Sequence, residues 1–141
     1  MPKKYHELKA VSFVQATEEE DKVMQAIWNL LDSTDIGEIE RSETEGVHSN
    51  PIIFITVRIK KERQILRILS HLATLDIWKE ALTQIDHRLD EEMVFHVRVD
   101  KGSAYDNEPV LWSGGESIEL KLKVASYPAS WERAKEIILK P

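Results

Sequence analysis

The sequence predicts an α+β protein of two layers, with a mostly antiparallel sheet packed under helices on one face and open on the other. Three observations carry this. Several stretches alternate apolar and polar residues with period two, as a half-buried strand does. Between them lie stretches with a single apolar stripe at helical spacing. And the strands keep one polar register, which a parallel sheet covered on both faces would not.

Taken in order, residues 5–16 alternate, with Leu8, Ala10, Ser12 and Val14 on one side. A capping box is expected at Thr17 and Glu20, opening a helix over 18–32 whose stripe is Val23, Ile27, Leu30 and Leu31. Residues 33–50 read as a polar loop with a strand near Ile36–Arg41, and Asn50-Pro51 breaks the chain. The next strand runs over 52–60, with Ile53, Ile55, Val57 and Ile59 inward and Ile52, Phe54, Thr56, Arg58 and Lys60 outward. Residues 61–89 are helical. Their first stripe is Ile65, Leu66, Leu69 and Leu72; their second starts at an Asp76 N-cap and continues through Trp78, Leu82, Ile85 and Leu89. After a turn at 90–92, "MVFHVRVD" sets Phe95, Val97 and Val99 against Val94, His96, Arg98 and Asp100. One helical turn and a short strand at 110–112 precede the Ser113-Gly114-Gly115 turn. "SIELKLKVAS" then alternates Ile118, Leu120, Leu122 and Val124 with Glu119, Lys121 and Lys123, and a last helix covers 130–139.

A chain of 141 residues fits one domain spanning 1–141. It has no Cys, so it carries no disulfide framework or thiolate metal site, which fits a reducing, cytoplasmic setting. The start, "MPKKYHELKA", has no apolar run behind its lysines and reads as neither signal peptide nor membrane span. The formal net charge is −6, the opposite of a bulk nucleic-acid binder. The charge is uneven, however: residues 48–75 carry five Lys and Arg against one Glu.

That unevenness bears on the open face. Its residues are Glu7, Lys9, Val11 and Phe13; Phe54, Arg58 and Lys60; His96, Arg98 and Asp100; and Glu119, Lys121 and Lys123. The face thus holds six cations and three carboxylates, with Phe13 and Phe54 interleaved. Aromatic rings stack unpaired bases and Lys or Arg meets phosphates, so the pattern suits single-stranded RNA. A plain solvated face accounts for the same residues, since charged strands also discourage pairing between molecules. A protein-binding or dimer surface centred on Val11, Phe13 and Phe54, with the cations as its rim, is the third reading.

Catalytic motifs are missing. There is no phosphate-cradling glycine loop and no nucleophile elbow, and no two of the five His share an i, i+4 spacing that would suggest a metal. Asp86, His87, Asp90 and Glu91 suggest a hydrolase only weakly, because such a cluster more often ends a helix and turns the chain. The expectation is a protein without enzymatic activity, cofactor or metal.

Several motifs line up in order: His48, Asn50, Pro51 and Ile52; Arg88, Asp90 and Glu91; Arg98, Asp100, Lys101 and Tyr105; and Lys121, Lys123, Tyr127 and Pro128. In this the chain resembles an archaeal family of small proteins described as RNA-binding or as predicted exosome subunits. The resemblance spans residues 17–128. Gly102 stands where the family pattern has Gln, and Ser49 where Gly is common. The resemblance implies a fold like that of the large-subunit ribosomal protein that contacts 5S RNA. It also implies a non-catalytic RNA-binding role, as an accessory of an RNA-processing or exosome assembly. Its partners would be RNA and proteins of that complex, with a homodimer as the alternative and no membrane. The residues expected to bind are Lys9, Phe54, Arg58, Lys60, Lys61, Arg63, Arg98, Lys101, Lys121 and Lys123. His48, Asn50, Pro51, Asp100 and Tyr105 mark the family motif. Asp100 is expected to pair with the neighbours of Arg98 or to cap the turn that follows it, and Tyr105 to pack back on the sheet.

Overall fold

The computed structural model describes residues 3–34, 36–45 and 50–140. The chain runs β1 (Tyr5–Val14), α1 (Glu20–Leu31), β2 (Glu38–Glu45), β3 (Pro51–Ile59), α2 (Glu62–Leu72), α3 (Asp76–Thr83), α4 (Ile85–Arg88), β4 (Val94–Asp100), α5 (Lys101–Tyr105), β5 (Ser117–Val124) and α6 (Trp131–Leu139). The strands form one sheet in the order β2-β3-β1-β5-β4, each neighbouring pair antiparallel. This is the expected α+β architecture.

The alternation builds the core. Leu8 lies opposite both Ile59 and Leu122, and Leu122 lies opposite Phe95, so these residues share one face. Ala10, Ile55, Val57, Val97, Val99, Ile118 and Leu120 join them there, all buried. Helices α1, α2, α3 and α6 cover that face with Val23, Ile27 and Leu31, with Ile65, Ile68 and Leu72, with Ile77 and Trp78, and with Ala134 and Ile138. Trp78 meets Phe95 edge-on, with ring centroids 5.4 Å apart, an arrangement that stabilises beyond plain burial. Among the described residues no helix is long and apolar enough to cross a membrane.

Several local expectations need correction. The capping box does not form: α1 starts at Glu20 with Glu19 in the cap position, and no side chain caps it. Glu18 is occupied elsewhere, accepting from the Gln15 amide at 3.0 Å and from the Lys101 ammonium. In α2 the buried stripe is Ile65, Ile68 and Leu72, whereas Leu66 is 42% exposed. Leu66 is one residue past Ile65, about 100° round the helix, which carries it off the sheet. Leu75, not Asp76, occupies the cap position of α3. The strand expected near Ile36–Arg41 is longer than expected and runs over Glu38–Glu45. β2 pairs with β3 along its whole length, from Glu38 opposite Arg58 to Glu45 opposite Pro51, although every residue in it is exposed. Gly37 leads into it at φ +76°, and a Cβ there would lie 2.5 Å from the Arg58 carbonyl oxygen, so only glycine fits.

One carboxylate ties the first strand to α2. Glu62 accepts hydrogen bonds from the Tyr5 amide at 3.1 Å and the Lys4 amide at 2.7 Å. The Tyr5 bond, helped by that from Lys4 and by nearby lysine charge, outweighs partial burial and holds the Glu62 carboxyl below its ordinary range. A lowered folded value means that the stabilisation is complete above the unfolded pKa, about 4.3, and is lost as pH falls through the folded value. Glu62→Ala therefore lowers stability by about 1 kcal/mol at neutral pH. Urea titrations repeated down the pH scale will show that gap closing below about pH 4.

Candidate nucleic-acid interface

The face away from the helices stays uncovered, and strand register sorts its side chains into rows. Lys9 lies opposite Arg58 on β3 and Lys121 on β5, and Lys121 lies opposite His96 on β4. Arg58, Lys9, Lys121 and His96 thus cross four strands in a line of about 14 Å at normal strand spacing. One step toward the start of β1, Glu7 pairs with Lys123, and Lys60 follows directly after β3. Together Lys9, Arg58, Lys60, Lys121 and Lys123 line a groove of about 530 Å³ with His6, Glu7, Asp90, Glu92 and His96. At the opposite end Phe13 lies beside Phe54, ring centroids 6.3 Å apart, with Phe54 42% exposed.

The face is less basic than the sequence suggested. β2 adds Glu38, opposite Arg58, and Glu40, opposite Thr56, so six cations now meet five carboxylates. Several cations are already engaged. The Arg58 guanidinium donates to Glu7 at 2.7 Å and to Glu40 at 3.0 Å. Arg98 reaches Glu119 at 3.3 Å, and Lys9 and Lys121 lie 3.7 and 3.5 Å from Glu7 and Glu119. Partial burial pushes the Glu7 carboxyl up, but the Arg58 hydrogen bond and the charges of Arg58, Lys9 and Lys60 outweigh it and hold it low. Lys60, Lys61, Arg63 and Lys123 are exposed and make no ion pair among the described residues. The positive charge is therefore concentrated at one end of the sheet.

Lys101 does not belong to this interface. It is 6% exposed, and its ammonium donates to the Phe13 carbonyl at 2.7 Å, to Glu18 at 3.1 Å and to Glu116 at 3.3 Å. It also sits 4.7 Å from the centre of the Phe13 ring. A cation with its donors filled and its stem buried has nothing left for a phosphate. Tyr105 is likewise misplaced by the sequence reading: it is 43% exposed, and its backbone carbonyl accepts from the Asn29 side chain at 3.0 Å. Asp100 does cap α5, accepting from the Ser103 amide at 2.8 Å. Asn50 is exposed just ahead of β3, which begins at Pro51, and His48 lies outside the described residues.

The acidic cluster near residue 90 has a structural task. One Asp90 carboxylate oxygen accepts from the Glu92 and Val94 amides, and the other meets the His96 ring nitrogen at 2.7 Å. Partial burial raises the Asp90 carboxyl, but the His96 hydrogen bond, those two amides and the His96 charge hold it below its usual range. Asp86 is taken by Lys135 at 2.6 Å. Sequence reasoning missed Trp112, which stands 38% exposed at the rim beside β4 with the Arg98 guanidinium 5.3 Å from its ring centre. Its one signal was an aromatic residue in the short strand expected at 110–112.

A family model described as RNA binding matches residues 7–124. An RNA-binding protein of Pyrococcus abyssi is 31% identical over 138 residues, covering 90% of this chain and 86% of its own. An uncharacterized protein of Methanocaldococcus jannaschii is 30% identical over 142 residues, covering 93% of each. The solved structure of a DUF54 protein from Methanothermobacter thermautotrophicus shares 29% of its sequence and covers 97% of both chains, with a TM-score of 0.81.

Proposed function

We propose, from the premise that this chain belongs to the RNA-binding family, that it holds a single-stranded segment of RNA along the uncovered face of its sheet. The observation that carries the reading is the groove that gathers five cations at one end of an anionic molecule. Lys9, Lys60, Lys121 and Lys123 supply phosphate contacts, with Lys61 and Arg63 extending the patch past β3. Lys9 and Lys121 are tied only by long, partly exposed ion pairs, which contribute little and give way to a phosphate. Arg58, clamped between two carboxylates, keeps its row in place. Arg98 shares Glu119 at the sheet edge, and Phe54 offers a stacking surface. The resemblance to exosome-associated proteins extends this to a non-enzymatic, cytoplasmic accessory of an RNA-processing assembly.

The test is binding of an unstructured labelled RNA between ~50 and 200 mM salt, with crosslinks mapped to residues. Affinity is expected to fall steeply, with a slope near −3 for four single-strand phosphate contacts at about 0.7 each. Crosslinks are expected at Phe54 and along β1, β3 and β5. Attachment confined to the helical side overturns the reading. The exposed Phe54 beside Phe13 favours a second reading, a dimer or protein contact on the same face. That contact predicts association insensitive to salt and no attachment of RNA.

A further inference from the structure

The rim pocket beside β4 has features that the phosphate groove lacks. Residues 110–112 lie along the outer edge of β4: the Asp100 amide donates to the Val110 carbonyl at 2.9 Å and the Trp112 amide to the Arg98 carbonyl at 3.0 Å. The Trp112 indole N–H donates to the Gly115 carbonyl at 2.7 Å. Backbone and ring are both anchored, yet the ring stays open to solvent, whereas Trp28 and Trp78 are buried in the core. Arg98 lies over it. An indole and a guanidinium are the two side-chain planes on which an unpaired base stacks.

Behind this pair lies a pocket of about 510 Å³, bounded by His87, Arg88 and Asp90, with His96 and Glu119 on its sheet side. It shares Asp90 and His96 with the basic groove, so the two form one continuous track. The two carboxylates differ. Asp90 has both oxygens filled by short hydrogen bonds. Glu119 has only long contacts, to Arg98 at 3.3 Å, Lys121 at 3.5 Å and His96 at 3.6 Å. It therefore keeps accepting capacity, and an ionised carboxylate only accepts. Of the four RNA bases, guanine presents two adjacent donors, N1–H and the N2 amino group, that match two carboxylate oxygens. Uracil presents one donor flanked by two carbonyls, which a carboxylate repels.

We infer that this pocket takes one unpaired guanine of the bound RNA, stacked on the Trp112–Arg98 pair with its Watson–Crick edge on Glu119. The inference rests on the RNA-binding reading and adds base recognition to it. The experiment compares roughly eight-nucleotide oligouridines, unsubstituted or carrying one central G, A or C, binding to the intact chain by fluorescence anisotropy. A single G is expected to tighten binding about tenfold, the size of one good bidentate base contact. Trp112→Ala and Glu119→Gln should each abolish that preference, and Trp112→Phe, which keeps a ring, should retain it. If the four oligomers bind equally while salt still weakens them, the pocket does not read a base and the RNA-binding reading stands. A preference that survives Glu119→Gln also overturns the inference. If no oligomer binds even at low salt, pocket and RNA reading fall together.

Discussion

Replacing Lys101 with Ala lowers the stability of the fold by about 3 kcal/mol. The Lys101 ammonium joins four places: the end of β1 through the Phe13 carbonyl, the turn into α1 through Glu18, the start of α5, and the lead-in to β5 through Glu116. Its removal leaves a carbonyl and two carboxylates facing one another without a cation. The loss sits at the low end of what a broken buried pair costs, because the Glu18 and Glu116 side chains are 21% and 37% exposed and partly hydrated. With a urea slope of about 2 kcal/mol/M, the unfolding midpoint drops by about 1.5 M. Lys101→Met, which keeps the stem but not the charge, is expected to recover only the packing part. The salt dependence of RNA binding should not change in either variant. A loss under ~1 kcal/mol would mean that the ammonium is as dispensable as an exposed one.

The second large effect is on RNA. Changing Lys9, Lys60, Lys121 and Lys123 together to Gln removes the groove's mobile cations and keeps their aliphatic stems. Four single-strand phosphate contacts account for about 3 in the slope of log affinity against log salt. The variant should lose nearly all of that slope and, near 0.1 M salt, roughly 10²–10³ in affinity. Stability should shift by less than ~1 kcal/mol, because the pairs given up are partly exposed. Comparing salt titrations of the two proteins decides the matter. Retention of the slope would place the phosphates elsewhere, with Lys61 and Arg63 as the next residues to change.

The sheet was legible because β1, β3, β4 and β5 alternate apolar and polar residues, and an apolar residue every second position has one face to bury. β2 was only half visible, since "EIERSETE" is polar on both sides and only its ladder to β3 identifies it. That omission carried the charge error: Glu38 and Glu40 reach the open face through a strand whose register the sequence does not display. Lys101 was misread for a different reason. A lysine in a polar stretch looks the same whether its ammonium meets water or three protein acceptors, and those acceptors come from residues 13, 18 and 116. Leu66 was placed on the buried stripe and Ile68 left off it, although Ile68 lies two residues on, about 200° round the helix, because a run rich in Ile and Leu offers apolar residues on both sides. Trp112 was invisible as a site because it acquires a role only when residues 110–112 fold back along β4.

β2 has no apolar anchor. Its attachment is the ladder to β3, with Arg41 paired to Glu20 of α1 at 3.0 Å. A strand that buries nothing opens in its own small cooperative unit, while the four-stranded remainder keeps the core closed. When it peels away it takes Glu40 from the Arg58 guanidinium and Glu38 from beside the cationic row, so the same surface becomes more strongly positive. On the proposed reading the acidic fringe would act as a removable counterweight, and an RNA arriving at the sheet would compete with this chain's own edge for the same positive charge.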